Sequence, residues 1–112
     1  MTYEKFLLLK IMEESSELAQ RASKAIQFGL NETETNQPYT NLERLQQELN
    51  DLLCVVSILN TELISNGSPI LSLDIKPYQV KEKAEKIERY LSYSESLGEL
   101  SYENHSKSLG EL

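Results

Sequence analysis

The sequence predicts an all-α protein, a helical bundle completed by oligomerisation, and three observations carry that reading. Apolar residues recur at three- and four-residue steps through long segments, the period of an α-helix buried on one face. The helix breakers are few, four Gly and three Pro in 112 residues, and they fall between the periodic segments, not inside them. A chain of this length forms one domain that buries only about two-thirds of its unfolded surface, so a partner subunit would add core that the single chain lacks.

The first helix is expected over residues 3–28, where Leu7, Ile11, Leu18, Ala22 and Ala25 keep the helical step and Gly29 supplies a stop. From Leu30 to Thr40 the chain turns to Asn, Glu, Thr, Gln and Pro38, a polar stretch that reads as a loop, with Asn41 as the expected cap of the next helix. Leu42, Leu45, Leu49, Leu52, Leu53, Val56, Leu59 and Leu63 carry the second helix to Ile64, before the Asn66-Gly67-Ser68-Pro69 breaker. Ile70 to Pro77 is short and closed by proline, so it reads as an ordered linker and not as a strand. A third helix from Tyr78 to about Tyr93 aligns Val80, Ala84, Ile87 and Leu91, with Lys81, Lys83, Lys86 and Arg89 on other faces. The second helix is apolar around more than half its circumference, and a second copy of the chain would cover the surplus. Residues 1–95 are thus expected as a helical domain and 96–112 as a C-terminal tail, which carries SLGEL twice (96–100 and 108–112) and the one histidine, His105.

Charge narrows the partners. Eighteen acidic against eleven basic residues give a net charge of -7, which disfavours a protein that grips the phosphate backbone of a nucleic acid polymer. A free nucleotide remains compatible, because a divalent cation bridges carboxylates to phosphates. Cys54, in the apolar run LLCVV, has no partner for a disulfide and is expected as a buried thiol in a reducing, cytoplasmic setting. The apolar runs FLLLKIM and LLCVVSIL fall short of the roughly 20 residues of a membrane span, and Met1 to Met12 lacks the features of a signal peptide.

The residues that carry chemistry are acids set at the edges of these apolar stripes. Glu14 and Glu17, in EESSE, lie one turn apart on the first helix; Glu48 and Asp51, in ELND, repeat the spacing on the second. Two such pairs facing each other make a four-carboxylate basket whose mutual repulsion a divalent metal would relieve. All-oxygen ligands select a hard ion, Mg²⁺ or Mn²⁺. Continuing the face of Glu14 and Glu17 by seven residues reaches Arg21 and Lys24, so the stripe turns from acidic to basic, and Lys83 with Lys86 offers a second basic pair. Glu13 reads as a solvated neighbour or a group behind the ligands. Tyr39, Phe28 and Tyr90 are candidates to stack on a base, with core packing the more expected role for Phe28.

At these residues the chain resembles the MazG-like branch of the all-α nucleoside triphosphate pyrophosphohydrolases, whose motif is ExxE on one helix and ExxD on the next. The segments MEESSELAQRASKAIQFGL and NLERLQQELNDLLCVVSILN look like that family's two core helices, including the Lys and Phe-Gly after the first pair, and KIERYLSYSESLGEL is similar to the way many members end. The resemblance covers most of residues 3–100; the second SLGEL departs from it. It implies Glu14, Glu17, Glu48 and Asp51 as catalytic Mg²⁺ ligands, with Lys24, Lys83 and Lys86 as substrate-phosphate contacts. It further implies cleavage of a (d)NTP to monophosphate and pyrophosphate by a metal-activated water, in a homodimer or homotetramer. The alternatives are a helical module that binds nucleotide or metal without turnover, a purely structural bundle, and an acidic adaptor for a protein partner.

Overall fold

The computed structural model describes residues 1–98, and it is all-helical: α1 Tyr3–Phe28, α2 Asn41–Ser65 and α3 Pro77–Ser96. No β-strand occurs among the described residues; a single antiparallel bridge joins Thr33 to Thr40. The second SLGEL and His105 lie outside the described residues. The chain forms two compact units, Met1–Leu71 and Ser72–Leu112, which meet inside the expected linker.

In the first unit α1 and α2 pack together as an antiparallel hairpin. Thr2 caps α1, its hydroxyl accepting from the Lys5 N–H at 3.2 Å. Gly29 ends α1 as expected, donating its N–H to the Ala25 carbonyl at 2.9 Å with φ 96°, a backbone conformation that a Cβ would strain. Asn41, by contrast, is not the cap of α2. Thr40 is, in a reciprocal box: its Oγ1 accepts from the Glu43 N–H at 3.1 Å while its own N–H donates to Glu43 Oε1 at 3.0 Å. The Thr40 N–H, and after it the Thr40 side chain, stabilise the Glu43 carboxylate and hold its pKa below the ordinary value.

Asn41 is displaced inward to the first helical position, where it is 3% exposed. Its Nδ2 donates to the Gly29 carbonyl at 2.8 Å and to Glu32 Oε2 at 2.7 Å, and its backbone N–H donates to the Glu32 carbonyl at 3.0 Å. Leu42 N–H to Leu30 O at 3.0 Å and Arg44 to Glu34 at 2.9 Å complete a loop folded back on the start of α2. Asn41→Ala would leave the Gly29 carbonyl with only the 3.4 Å bond from the Glu32 N–H and take from Glu32 Oε2 the amide that holds it. It is expected to cost about 2–3 kcal/mol in denaturant unfolding, far more than removal of an exposed side chain such as Gln47.

The interior of the hairpin follows the expected stripes. Leu7 and Leu59 are buried, with Ile11, Leu18, Ala22, Ala25, Leu45, Leu52, Val56 and Leu63 half-buried around them. At the far end Asn66 Nδ2 donates to Glu4 Oε2 at 3.4 Å, joining the finish of α2 to the start of α1. Three other leucines of the α2 stripe, Leu42, Leu49 and Leu53, stay exposed, since one partner helix covers only one side of α2. Cys54 is also exposed, against the expectation of a buried thiol. It lies five residues from Leu59, about 140° around the helix, and the apolar run that surrounds it is shared between two faces.

Asn60 holds the linker to α2 by a two-way clasp, donating to the Leu71 carbonyl at 2.8 Å and accepting from the Leu71 N–H at 2.9 Å. In the second unit Pro77 opens α3 instead of closing the linker, because a first-turn proline loses no helical hydrogen bond. On α3 Ala84 is buried, Val80 and Leu91 are half-buried and Ile87 is exposed, and the helix runs to Ser96, beyond the expected Tyr93. No helix among the described residues is long and apolar enough to cross a membrane.

Candidate functional site

Glu14 stands seven residues after Leu7 on α1, so it occupies the inward face at a position where the register would place another core side chain. Glu48 does the same on α2, seven residues after buried Asn41. The hairpin therefore presses two carboxylates toward each other, and Glu17 joins them from the next turn of α1. One carboxylate oxygen from each of Glu14, Glu17 and Glu48 lies within 4.8 Å of the other two.

Two oxygens of this cluster, Glu14 Oε2 and Glu48 Oε2, are buried without a hydrogen-bond partner. Buried polar atoms in folded proteins are almost always satisfied, and a cation or a hydrogen-bond donor between the helices would satisfy this pair. Desolvation is the first cause raising the pKa of Glu14, followed by the negative charges of Glu17 and Asp51. Glu48 is raised in the same way, by desolvation first and then by the close approach of the Glu17 carboxyl and the charges of Asp51 and Glu14. Three oxygen donors from two helices, with room left for water or phosphate oxygens, fit a hard divalent ion. Asp51 is exposed and outside the 4.8 Å set, though its charge is felt by both inward glutamates. One turn beyond Glu48, it is rotated about 60° further from α1.

The pKa directions set the sign of a pH effect. A carboxyl whose folded pKa is raised favours the folded state when protonated, so this part of the stability is lost as pH rises from the ordinary value of 4.5 through the raised one. Without divalent ions, Glu14→Gln is expected to melt higher than the parent at neutral pH and to lose that advantage near pH 4. With Mg²⁺ the order should reverse at neutral pH. Melting curves in EDTA and in Mg²⁺ across pH 4–8 check both signs.

Of the expected basic partners, Lys24 lies on the hairpin and Lys83 and Lys86 lie on α3 of the second unit. Lys24 sits seven residues beyond Glu17 toward the loop, its Nζ 5.7 Å from the centroid of Phe28. Together with Phe28, Glu32, Glu34, Thr35 and Asn41 it lines a pocket of about 250 Å³ at the loop end of the hairpin. Phe28 is 56% exposed as a wall of that pocket, which corrects its expected role in the core. Lys83 and Lys86 share a shallow depression with Gln79 and Glu82 in the second unit, and Lys86 Nζ lies 5.9 Å from the Tyr90 ring centroid. Glu13 pairs with Lys10 at 3.0 Å on the surface, one step outside the cluster. The loop-end pocket had gone unread in the sequence; its trace there is a pair of acids between the Phe-Gly of α1 and the Asn that opens α2.

No protein-family model matches this chain, and comparisons with curated proteins and with solved structures give no match either.

Proposed function

We propose that the protein is a Mg²⁺-dependent nucleoside triphosphate pyrophosphohydrolase of the MazG-like kind, acting in the cytoplasm on free (d)NTPs. The observation that supports it most is the convergence of Glu14, Glu17 and Glu48 within 4.8 Å, two of them with buried, unpartnered oxygens. A purely structural bundle has no use for such a pair, because two apolar side chains at those positions would pack at no electrostatic cost. Glu14, Glu17 and Glu48 would hold the ion, with Asp51 on its outer side and Mn²⁺ an acceptable substitute. When bound, the metal neutralises phosphate charge and lowers the pKa of a water in its shell.

In the reaction a water oxygen bonds to the α-phosphorus, and the bond from that phosphorus to the α–β bridging oxygen breaks. Nucleoside monophosphate and pyrophosphate leave. A carboxylate oxygen of the cluster that is not bound to the ion takes the proton of the attacking water, a role open to the second oxygen of Glu48. Lys24, on the hairpin that carries the acids, is the proposed cationic contact to substrate, and Lys83 and Lys86 of the second unit are proposed from the resemblance alone. The exposed Leu42, Leu49 and Leu53 on α2, with Leu8, Met12 and Ile26 on α1, support a homodimer or homotetramer in which a second copy completes the bundle.

Incubation with ribo- and deoxynucleoside triphosphates and Mg²⁺, with products resolved, tests the reading. Monophosphate plus pyrophosphate, abolished by EDTA, is the expected outcome. Bound nucleotide without product would replace the enzyme by a binding module, and release of single phosphate would move the cleavage to another bond.

A further inference from the structure

The loop-end pocket belongs to neither the acid cluster nor the hairpin core, and its chemistry is mixed in a way that selects a ligand. We infer that it holds the base of the nucleotide and favours a base with an exocyclic amino group; this rests on the triphosphate hydrolysis proposed above. Three features of the pocket point there.

Position comes first. Lys24 lies seven residues past Glu17 and Asn41 seven residues before Glu48, so both helices place the pocket two turns, about 10 Å, along the hairpin from the carboxylates. A sugar and one phosphate bridge such a gap. A nucleotide with its α-phosphate at the acids thus brings its base to Phe28.

The second feature is the charge of the walls. Two of the six lining residues are carboxylates, Glu34 paired with Arg44, and Lys24 is the one lining cation, so the walls have no cationic excess for a triphosphate tail and suit an uncharged, donor-bearing ring. Asn41 offers no amide proton for phosphate, because both serve the Gly29 carbonyl and Glu32 Oε2.

The third is a fixed acceptor beside an aromatic face. Glu32 is held by Asn41 at 2.7 Å through Oε2, which leaves Oε1 to accept from an amino group. Phe28 offers a ring face, more than half exposed, for stacking, and Lys24 above it can donate to a ring carbonyl. Uracil, with a carbonyl where cytosine carries its amine, would set two acceptors against each other.

The test compares dCTP with dUTP on the full chain, its Phe28→Ala variant and its Glu32→Gln variant, whose amide oxygen still accepts from Asn41. The parent should prefer dCTP by about tenfold or more in kcat/KM. Phe28→Ala should raise KM for both by about tenfold with kcat little changed, and Glu32→Gln should shrink the preference. Unaltered KM values and an unaltered ratio in both variants would overturn the pocket and leave the hydrolase standing. If the parent turns over no triphosphate, hydrolysis falls, and amide chemical shifts on adding CMP or UMP without metal decide the pocket alone. Shifts centred on Lys24, Phe28, Glu32 and Thr35, larger with CMP, would keep it; their absence would remove it.

Discussion

Glu48→Gln is expected to lower nucleoside triphosphate hydrolysis by about a thousandfold or more while leaving the helical content intact. The substitution keeps the shape of the side chain and removes its charge and basicity. Glu48 is the member of the close cluster supplied by α2, so without its charge the close carboxylates around a bound ion would both come from α1. Loss of one preorganised charge at a phosphoryl-transfer site costs about two to three orders of magnitude, and loss of the proton acceptor adds to that. Asp51→Asn should cost less than Glu48→Gln or Glu14→Gln, since Asp51 stands outside the 4.8 Å set. Rates with saturating Mg²⁺ and a circular dichroism spectrum of each variant measure both points. Equal losses at Glu48 and Asp51 would mean that the two acids share the ion equally, and full activity of Glu48→Gln would remove the cluster from the mechanism.

What the sequence made legible divides along physical lines. Helix existence was readable because period and breakers agree: α1 begins at Tyr3 and ends at Phe28 as expected, with Gly29 in the conformation that only glycine takes freely. Glu14, Glu17 and Glu48 were readable as a group because spacing within a helix fixes which side chains share a face. Their convergence required the pairing of two helices, which the apolar stripes on both predict. The boundaries were less legible. Thr40 and Asn41 are both good caps by type, and the choice fell to Glu43, whose position three residues after Thr40 closes the box, while Asn41 was drawn inward by Gly29 and Glu32. Pro77 could end one element or start the next, and the helical period beyond it does not say which. Cys54 and Phe28 show the remaining gap: an apolar residue in an apolar run can face the core, a pocket or a partner, and only the register of packed helices separates the three.

That register bears on assembly, where the other large effect is expected. Leu42, Leu49 and Leu53 succeed one another at steps of seven and four along α2 and are 49%, 38% and 43% exposed in the single chain. They form one stripe, about 100° around the helix from Leu59, which faces α1. A hairpin whose fully buried large apolar side chains, among the described residues, are Leu7 and Leu59 gains most by covering such a stripe with a second copy. Leu53→Glu places a charge at one end of it. Burying an unpaired carboxylate costs several kcal/mol, so association should weaken by about a hundredfold or more and the protein should shift to monomer at micromolar concentration. Gln47→Glu is the matching control, adding the same charge about 120° around α2 from Leu53, and should leave the mass unchanged. Light scattering coupled to size exclusion reads both. A parent that is itself monomeric, or a Leu53→Glu variant of unaltered mass, would show that this stripe is not the interface. A variant that becomes monomeric and loses hydrolysis together would show that the three clustered glutamates need the second copy to work.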